Sequence, residues 1–182
     1  MSVNRGKDFE KVIKEAFEKV PGVSIDRLHD QMNGFAGSAN ISDFIMYKYP
    51  HEYYIECKSV HGNTLPFSNI SKNQWNGMLE KSKIDGVFAG VMCWWIDKDV
   101  TKFIPIQTLA ELDSLGNKSL RYDAGLPDYM LCEQMYLMTE IQGKKKRVFF
   151  EYDMESFFKE TRIAYEMDNP RDIPRRSGIW PK

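Results

Sequence analysis

The chain predicts an α/β fold, a mixed sheet flanked by helices, on three observations. An amphipathic helix pattern occupies residues 8–20, an aromatic and β-branched hairpin pattern runs from Phe44 to Ser59, and a nearly unbroken apolar run spans Val87 to Ile96. Helices and strands alternate along the chain, with no internal repeat and no interdomain linker. The expectation is one domain over residues 1–170, followed by a basic C-terminal tail over 171–182.

The first helix places Phe9, Val12, Ile13, Ala16, Phe17 and Val20 at the i, i+3, i+4, i+7 spacing of one buried stripe, and Pro21-Gly22 ends it. Residues 33–40, Asn-Gly-Phe-Ala-Gly-Ser-Ala-Asn, form a loop whose small residues let backbone N–H groups approach a ligand, with Asn33, Gly34 and Ser38 as candidate contacts. The strands Phe44–Lys48 and Glu52–Ser59 flank Tyr49-Pro50-His51, which reads as a turn. If Lys48 pairs with His51, Asp43 falls opposite Glu56; a one-residue slip would send Asp43 to the other face.

Ser71-Lys72-Asn73-Gln74 opens a second helix carrying Trp75, Met78 and Leu79 on one side. Val87–Ile96 suits a central strand buried on both faces. Lys102–Ile106 reads as another strand, Thr108–Leu112 as a short helix, Tyr136–Tyr152 as a hairpin turning at Gly143-Lys144, and Met154–Met167 as a final helix.

Composition bounds the function. The 182 residues suffice for one substantial core, and 42% hydrophobic with 28% charged content is ordinary for a globular chain. No apolar run approaches the ~20 residues of a membrane helix. The N-terminus lacks the apolar segment of a secretory signal, so a cytoplasmic location is the expectation. A net charge of −1 gives no global basic signal, so any nucleic-acid surface must be local. Two local candidates exist: Lys144-Lys145-Lys146-Arg147, and the tail with Arg171, Arg175, Arg176 and Lys182 against Asp172. Each also reads as a solvated turn or tail.

Cys57, Cys93 and Cys132 lie far apart with no zinc-type spacing and are expected as free thiols. Thiol catalysis is discounted because Cys57 and Cys93 fall in buried strands without an adjacent histidine. His29, His51 and His61 lack companion ligands at usable spacing, and no P-loop or Gly-x-Gly-x-x-Gly fingerprint occurs.

The chemistry gathers at Asp43 and at Glu56-Cys57-Lys58. Side chains alternate along a strand, so Glu56 and Lys58 share a face and Cys57 takes the other. Two carboxylates and a lysine suit metal-dependent phosphodiester hydrolysis: the acids hold Mg²⁺, and the lysine orients water or stabilises developing charge. The competing explanation is a surface ion pair, weakened by the apolar flanks of the strand. Glu10, at the edge of the first helix's apolar stripe, is placed for an i,i+4 pair with Lys14. Gln74 forms a capping box with Ser71 and lies within reach of a site at the acids.

Asn4-Arg5-Gly6, Asp43, Glu56-Cys57-Lys58, Asn63-Thr64-Leu65-Pro66-Phe67 and Gln74, taken in order, resemble the RecU-like Holliday junction resolvases, especially phage-encoded members, across residues 4–112. That family belongs to the PD-(D/E)xK nucleases, with a restriction-endonuclease-like core. The resemblance implies Asp43, Glu56 and Gln74 as metal ligands, Lys58 as transition-state stabiliser, Glu10 as a helix acid of the site, Mg²⁺ (Mn²⁺ substituting) as cofactor, and a homodimer acting on four-way DNA. The loop residues Asn33, Gly34 and Ser38 and the run Lys144–Arg147 become DNA-contact candidates. The family carries a hydroxylated residue two positions before the aspartate, where this chain has Ile41, with Ser42 one later. It also carries a longer stalk-forming insertion before the aspartate, which is absent here. The reading is therefore a metal-dependent, structure-selective endonuclease that resolves four-way junctions. Its alternatives are a non-catalytic branched-DNA-binding accessory module and a restriction-type nuclease.

Overall fold

Helix α1 (Arg5–Glu18) buries Phe9, Ile13, Ala16 and Phe17, the stripe that the 3.6-residue period predicts. The structure, a computed structural model, describes residues 5–28, 40–131 and 138–168, with backbone alone at Tyr129 and 162–168. The loop residues Asn33, Gly34 and Ser38, Cys132, and the tail 171–182 lie outside the described residues.

The strands are β1 (Val23–Arg27), β2 (Phe44–Lys48), β3 (His51–Val60), β4 (Thr64–Pro66), β5 (Val87–Trp95), β6 (Val100–Pro105), β7 (Ser119–Arg121), β8 (Thr139–Glu140), β9 (Gly143–Lys145) and β10 (Phe150–Tyr152). Between them stand helices α2 (Lys72–Lys81), α3 (Ile106–Ser114) and α4 (Asp128–Leu131), and α5 (Met154–Asp168) closes the described chain. The principal sheet has the order β1-β2-β3-β5-β6-β8. Among the described strands only β3 and β5 run parallel, and the connection between them carries α2, as a parallel pair requires a long crossover.

The two faces have separate cores. Phe9, Ile13 and Phe17 of α1 and Phe157 and Phe158 of α5 pack on Met46, Tyr53, Ile55, Cys57, Met92 and Trp94. On the other face Met78 of α2 and Leu109 of α3 pack on Tyr54, Val60, Val91, Cys93 and Trp95. The alternation runs through β3: Tyr53, Ile55 and Cys57 face α1, while Tyr54 and Val60 face α2. Glu56 and Lys58 therefore project towards the α2 side. Central β5, apolar throughout, is buried on both faces, as expected of a strand between two helix layers.

The mixed α/β sheet flanked by helices is thus the observed class. The register of β2 and β3 is also as the turn predicts, with Lys48 opposite His51 and Phe44 opposite Ile55. Three details differ. Gly143 and Lys144 belong to β9, and the β9–β10 hairpin turns at residues 146–149, because Gly143 pairs with Tyr152 and Lys145 with Phe150. Strand β6 begins at Val100, and Ile106 opens α3. Short strands β1, β4 and β7 were not anticipated, since three to five residues with one half-buried face leave little periodic signal.

Candidate active site

Asp43 stands just ahead of β2, held by the main chain on both sides. Its N–H donates to the Ile55 carbonyl at 3.1 Å, and its carbonyl accepts from Leu28 N–H at 2.8 Å. The side chain is fixed too: Cys57 N–H donates to Asp43 Oδ2 at 2.7 Å. Two residues along β3, Lys58 Nζ donates to Glu56 Oε1 at 2.5 Å. The acid, the second acid and the lysine named from sequence are brought together as the hairpin register requires.

Glu56 is 2% exposed, and its Oε2 has no hydrogen-bond partner among the described residues. A buried carboxylate oxygen without a donor is costly unless it is protonated or bound to a cation. Burial pushes the Glu56 carboxyl up to about 7, and the Asp43 charge adds to the rise while Lys58 opposes it. Burial likewise raises Asp43 to about 6, with the Cys57 N–H and Lys58 opposing and Glu10 adding. The pair is thus a concentration of negative charge that one lysine does not neutralise.

Glu10 belongs to this neighbourhood. Its expected helix pair with Lys14 is replaced: Lys14 bonds Glu18, while Glu10 Oε2 accepts from Arg27 Nη2 across to the end of β1. Arg27 was missed by sequence reasoning. It lies sixteen residues before Asp43, and only the pairing of Arg27 with Phe44 sets it beside the site, where its charge lowers the Asp43 carboxyl. No local sequence signal marks it.

Gln74 forms the predicted capping box. Its N–H donates to Ser71 Oγ at 3.2 Å and its Oε1 accepts from Ser71 N–H at 3.0 Å. The same helix start touches the segment leading to Asp43, since Asn73 Nδ2 donates to the Asn40 carbonyl at 3.2 Å. The side chain of Ile41 leans on α2 at Gly77, where an added Cβ would come within 2.3 Å of Ile41 Cγ2 and 2.7 Å of its Cβ. Ser42 spends its hydroxyl on the Phe44 carbonyl at 3.0 Å. Gly77→Ala is expected to push α2 off Ile41 and cost about 1–3 kcal/mol. Thermal melts of Gly77→Ala, Ile41→Ala and the double variant check this, the double recovering part of the Gly77→Ala loss.

The remaining candidates lie elsewhere. Lys144, Lys145, Lys146 and Arg147 sit on or beside β9, with Lys145 bonded to Asp99 and Lys146 to Glu151 at 2.9 Å. His51 is buried at the start of β3, and His61, beyond its end, pairs with Asp97 at 2.9 Å. Burial pushes the thiols of Cys57 and Cys93 up, which removes thiolate chemistry from consideration.

Does a divalent cation suit these residues? Among the described residues no three His, Cys, Asp or Glu side chains are placed to hold one metal ion together. Magnesium does not need one, because it takes one or two carboxylates and keeps its waters. Two raised carboxyls, one with a bare buried oxygen, are a hard-oxygen donor set of that kind.

No protein-family model and no curated protein sequence matches the chain. Among solved structures, the chain is similar to Hjc, a Holliday junction resolvase of Archaeoglobus fulgidus, with a TM-score of 0.43 and 19% identity over 58% of this chain and 75% of that one. A likeness this distant concerns the course of the chain and assigns no activity here. Among the described residues no helix is long and apolar enough to cross a membrane.

Proposed function

We propose that the chain is a metal-dependent endonuclease that cuts branched DNA, four-way junctions above all. The observation that carries the nuclease reading is the buried Glu56 carboxylate, its Oε2 bare, beside Asp43 and bonded to Lys58. Asp43 and Glu56 would hold the cation, Mg²⁺ or Mn²⁺, which supplies charge neutralisation at the phosphate and an acidified water. Gln74, whose Oε1 accepts from Ser71 N–H, is a third candidate ligand on the RecU-like order of motifs.

The chain's own residues supply the rest. Cys57 N–H aims Asp43, and Arg27 holds Glu10 near the two acids. Lys58, 22% exposed, is anchored at one side by Glu56 and reaches solvent at the other, so it can meet a phosphate or a water arriving at the acids. Junction preference is supported by the RecU-like order of motifs, and a homodimer would present two such sites to a two-fold substrate.

The test is cleavage of a labelled four-way junction beside a linear duplex of the same sequence, in Mg²⁺ and in EDTA. The expected result is paired nicks in the junction arms in Mg²⁺ and none in EDTA. Junction binding without cleavage in either Mg²⁺ or Mn²⁺ would overturn the nuclease reading and leave a branched-DNA-binding module. Equal cleavage of the linear duplex would leave a nuclease without selectivity for branches.

A further inference from the structure

We propose that the β9–β10 hairpin is a second DNA-contacting element, in which Lys144 and Arg147 hold backbone phosphates and Val148 packs on the base pair exposed at a branch point. The inference rests on the nuclease reading and names how its substrate is recognised.

The tip is built in an unusual way. Lys146 N–H donates to the Phe149 carbonyl at 2.8 Å, so Arg147 and Val148 are the two central residues of the turn and stand furthest out. Two-residue hairpin turns favour Asn-Gly or Asp-Gly, and a β-branched residue there gains nothing for turning. Among the described residues only Asp99 of the non-glycines has positive φ, so this turn uses no left-handed residue. Val148 is nevertheless 47% exposed, an apolar side chain at the apex of a run of four cations. Neither turn chemistry nor core packing accounts for it.

The base, by contrast, is held firmly. Phe149 packs on Trp94 with ring centroids 5.3 Å apart, and Tyr152 bonds Thr101 through their hydroxyls at 2.9 Å. Asp153 N–H donates to the Gln142 carbonyl at 2.8 Å. Of the four cations, Lys145 is taken by Asp99, and Lys146 by Glu151, which also faces Lys144 across the ladder. Arg147 has no hydrogen bond or ion pair among the described residues. Four positive side chains thus meet two acids, which leaves the hairpin a surplus of cations with Arg147 at its apex.

Position favours the same partner. Asp99 belongs to the turn that follows β5, and the last residues of β5 pair with those of β3 just past Lys58. The hairpin is therefore fastened at the sheet end towards which Lys58 lies, but on the α1 side, whereas Glu56 and Lys58 open on the α2 side. A substrate touching both wraps around the end of the sheet, which suits diverging arms. A small apolar wedge flanked by cations is the physical recipe for gripping phosphates while covering an unstacked base pair.

The test uses the full chain, Ca²⁺ in place of Mg²⁺ to hold cleavage off, and fluorescence anisotropy on a four-way junction and a matching linear duplex, with 2-aminopurine at the branch. Lys144→Ala with Arg147→Ala is expected to weaken binding to both DNAs by about 10-fold or more and to reduce the salt slope by about 2. Val148→Ser, which removes the apolar wedge without adding charge, is expected to bring junction affinity down to that of the duplex and to remove the 2-aminopurine change, while duplex affinity holds. Arg147 and Val148 lie at the exposed tip and Lys144 on the exposed strand behind it, and unchanged melting temperatures show that the fold is kept. Wild-type affinity, selectivity and 2-aminopurine response in both variants would overturn the proposal and leave the tip to a protein partner. A parent protein that binds neither DNA would overturn the nuclease reading itself.

Discussion

Lys58→Ala is expected to lower metal-dependent junction cleavage by roughly 10²–10³-fold, the loss that follows removal of one preorganised electrostatic group at a developing charge. Lys58 is suited to that part because its ammonium is already oriented: Glu56 Oε1 holds it at 2.5 Å while 22% of the side chain remains open. Little reorganisation is then needed when a phosphate arrives. The substitution has a second consequence. Lys58 opposes the rise of the Glu56 carboxyl, so without it Glu56 keeps its proton to higher pH. The acidic limb of the pH–rate profile should therefore move upward in the variant. A residue that merely supports the fold would change the melting temperature without moving that limb. Cleavage by Lys58→Ala at the parent rate, in a time course over pH 6–9, would sink the assignment.

Glu56→Gln should abolish cleavage and also raise the stability of the metal-free protein at neutral pH. The sign follows from linkage. Glu56 is raised from 4.5 to about 7 and Asp43 from 3.8 to about 6, so the folded chain binds these protons more tightly than the unfolded chain. Their contribution is fully present below pH ~4. It is lost as pH rises through 6 and 7, when two buried carboxylates charge side by side. A divalent cation held by the charged form would reverse the loss. Metal-free protein should accordingly melt lower at pH 8 than at pH 5, and Mg²⁺ should raise the melting temperature at pH 8 but not at pH 5. Glu56→Gln removes the buried charge and keeps the shape, so it should gain about 2–3 kcal/mol at pH 8 and lose the response to Mg²⁺. Calorimetric scans with and without Mg²⁺ at the two pH values check all four outcomes. A metal response that persists in Glu56→Gln would place the cation elsewhere.

Much of this site was legible in the chain because its parts are local. Period-two alternation alone puts Glu56 and Lys58 on one face, and the Tyr49-Pro50 turn alone sets the register that brings Asp43 beside them. The α1 stripe and the Ser71–Gln74 capping box were legible for the same reason, each resting on neighbours three or four residues apart. What failed to show were contacts with no local signature. Glu10 has a plausible helix partner in Lys14, yet it bonds Arg27, because β1 pairs with β2 and carries Arg27 across. The sequence shows no reason for Ile41 just ahead of Asp43, and only the packing of α2 shows that Gly77 makes room for it. The hairpin turn was misplaced to Gly143-Lys144 because glycine is the usual mark of a turn, whereas the actual turn, Arg147-Val148, has none of that chemistry.

The sequence by itself therefore determined the layers, the central apolar strand and the acid, acid and lysine on one sheet face, since these depend on periodicity and short spacing. The tertiary structure alone decided that Glu56 is buried with an oxygen unpartnered among the described residues, that Arg27 and Glu10 flank the acids, and that the cationic hairpin is pinned to the turn after β5. Those depend on which surfaces exclude water and which distant strands pair, and neither quantity is carried by any single stretch of chain.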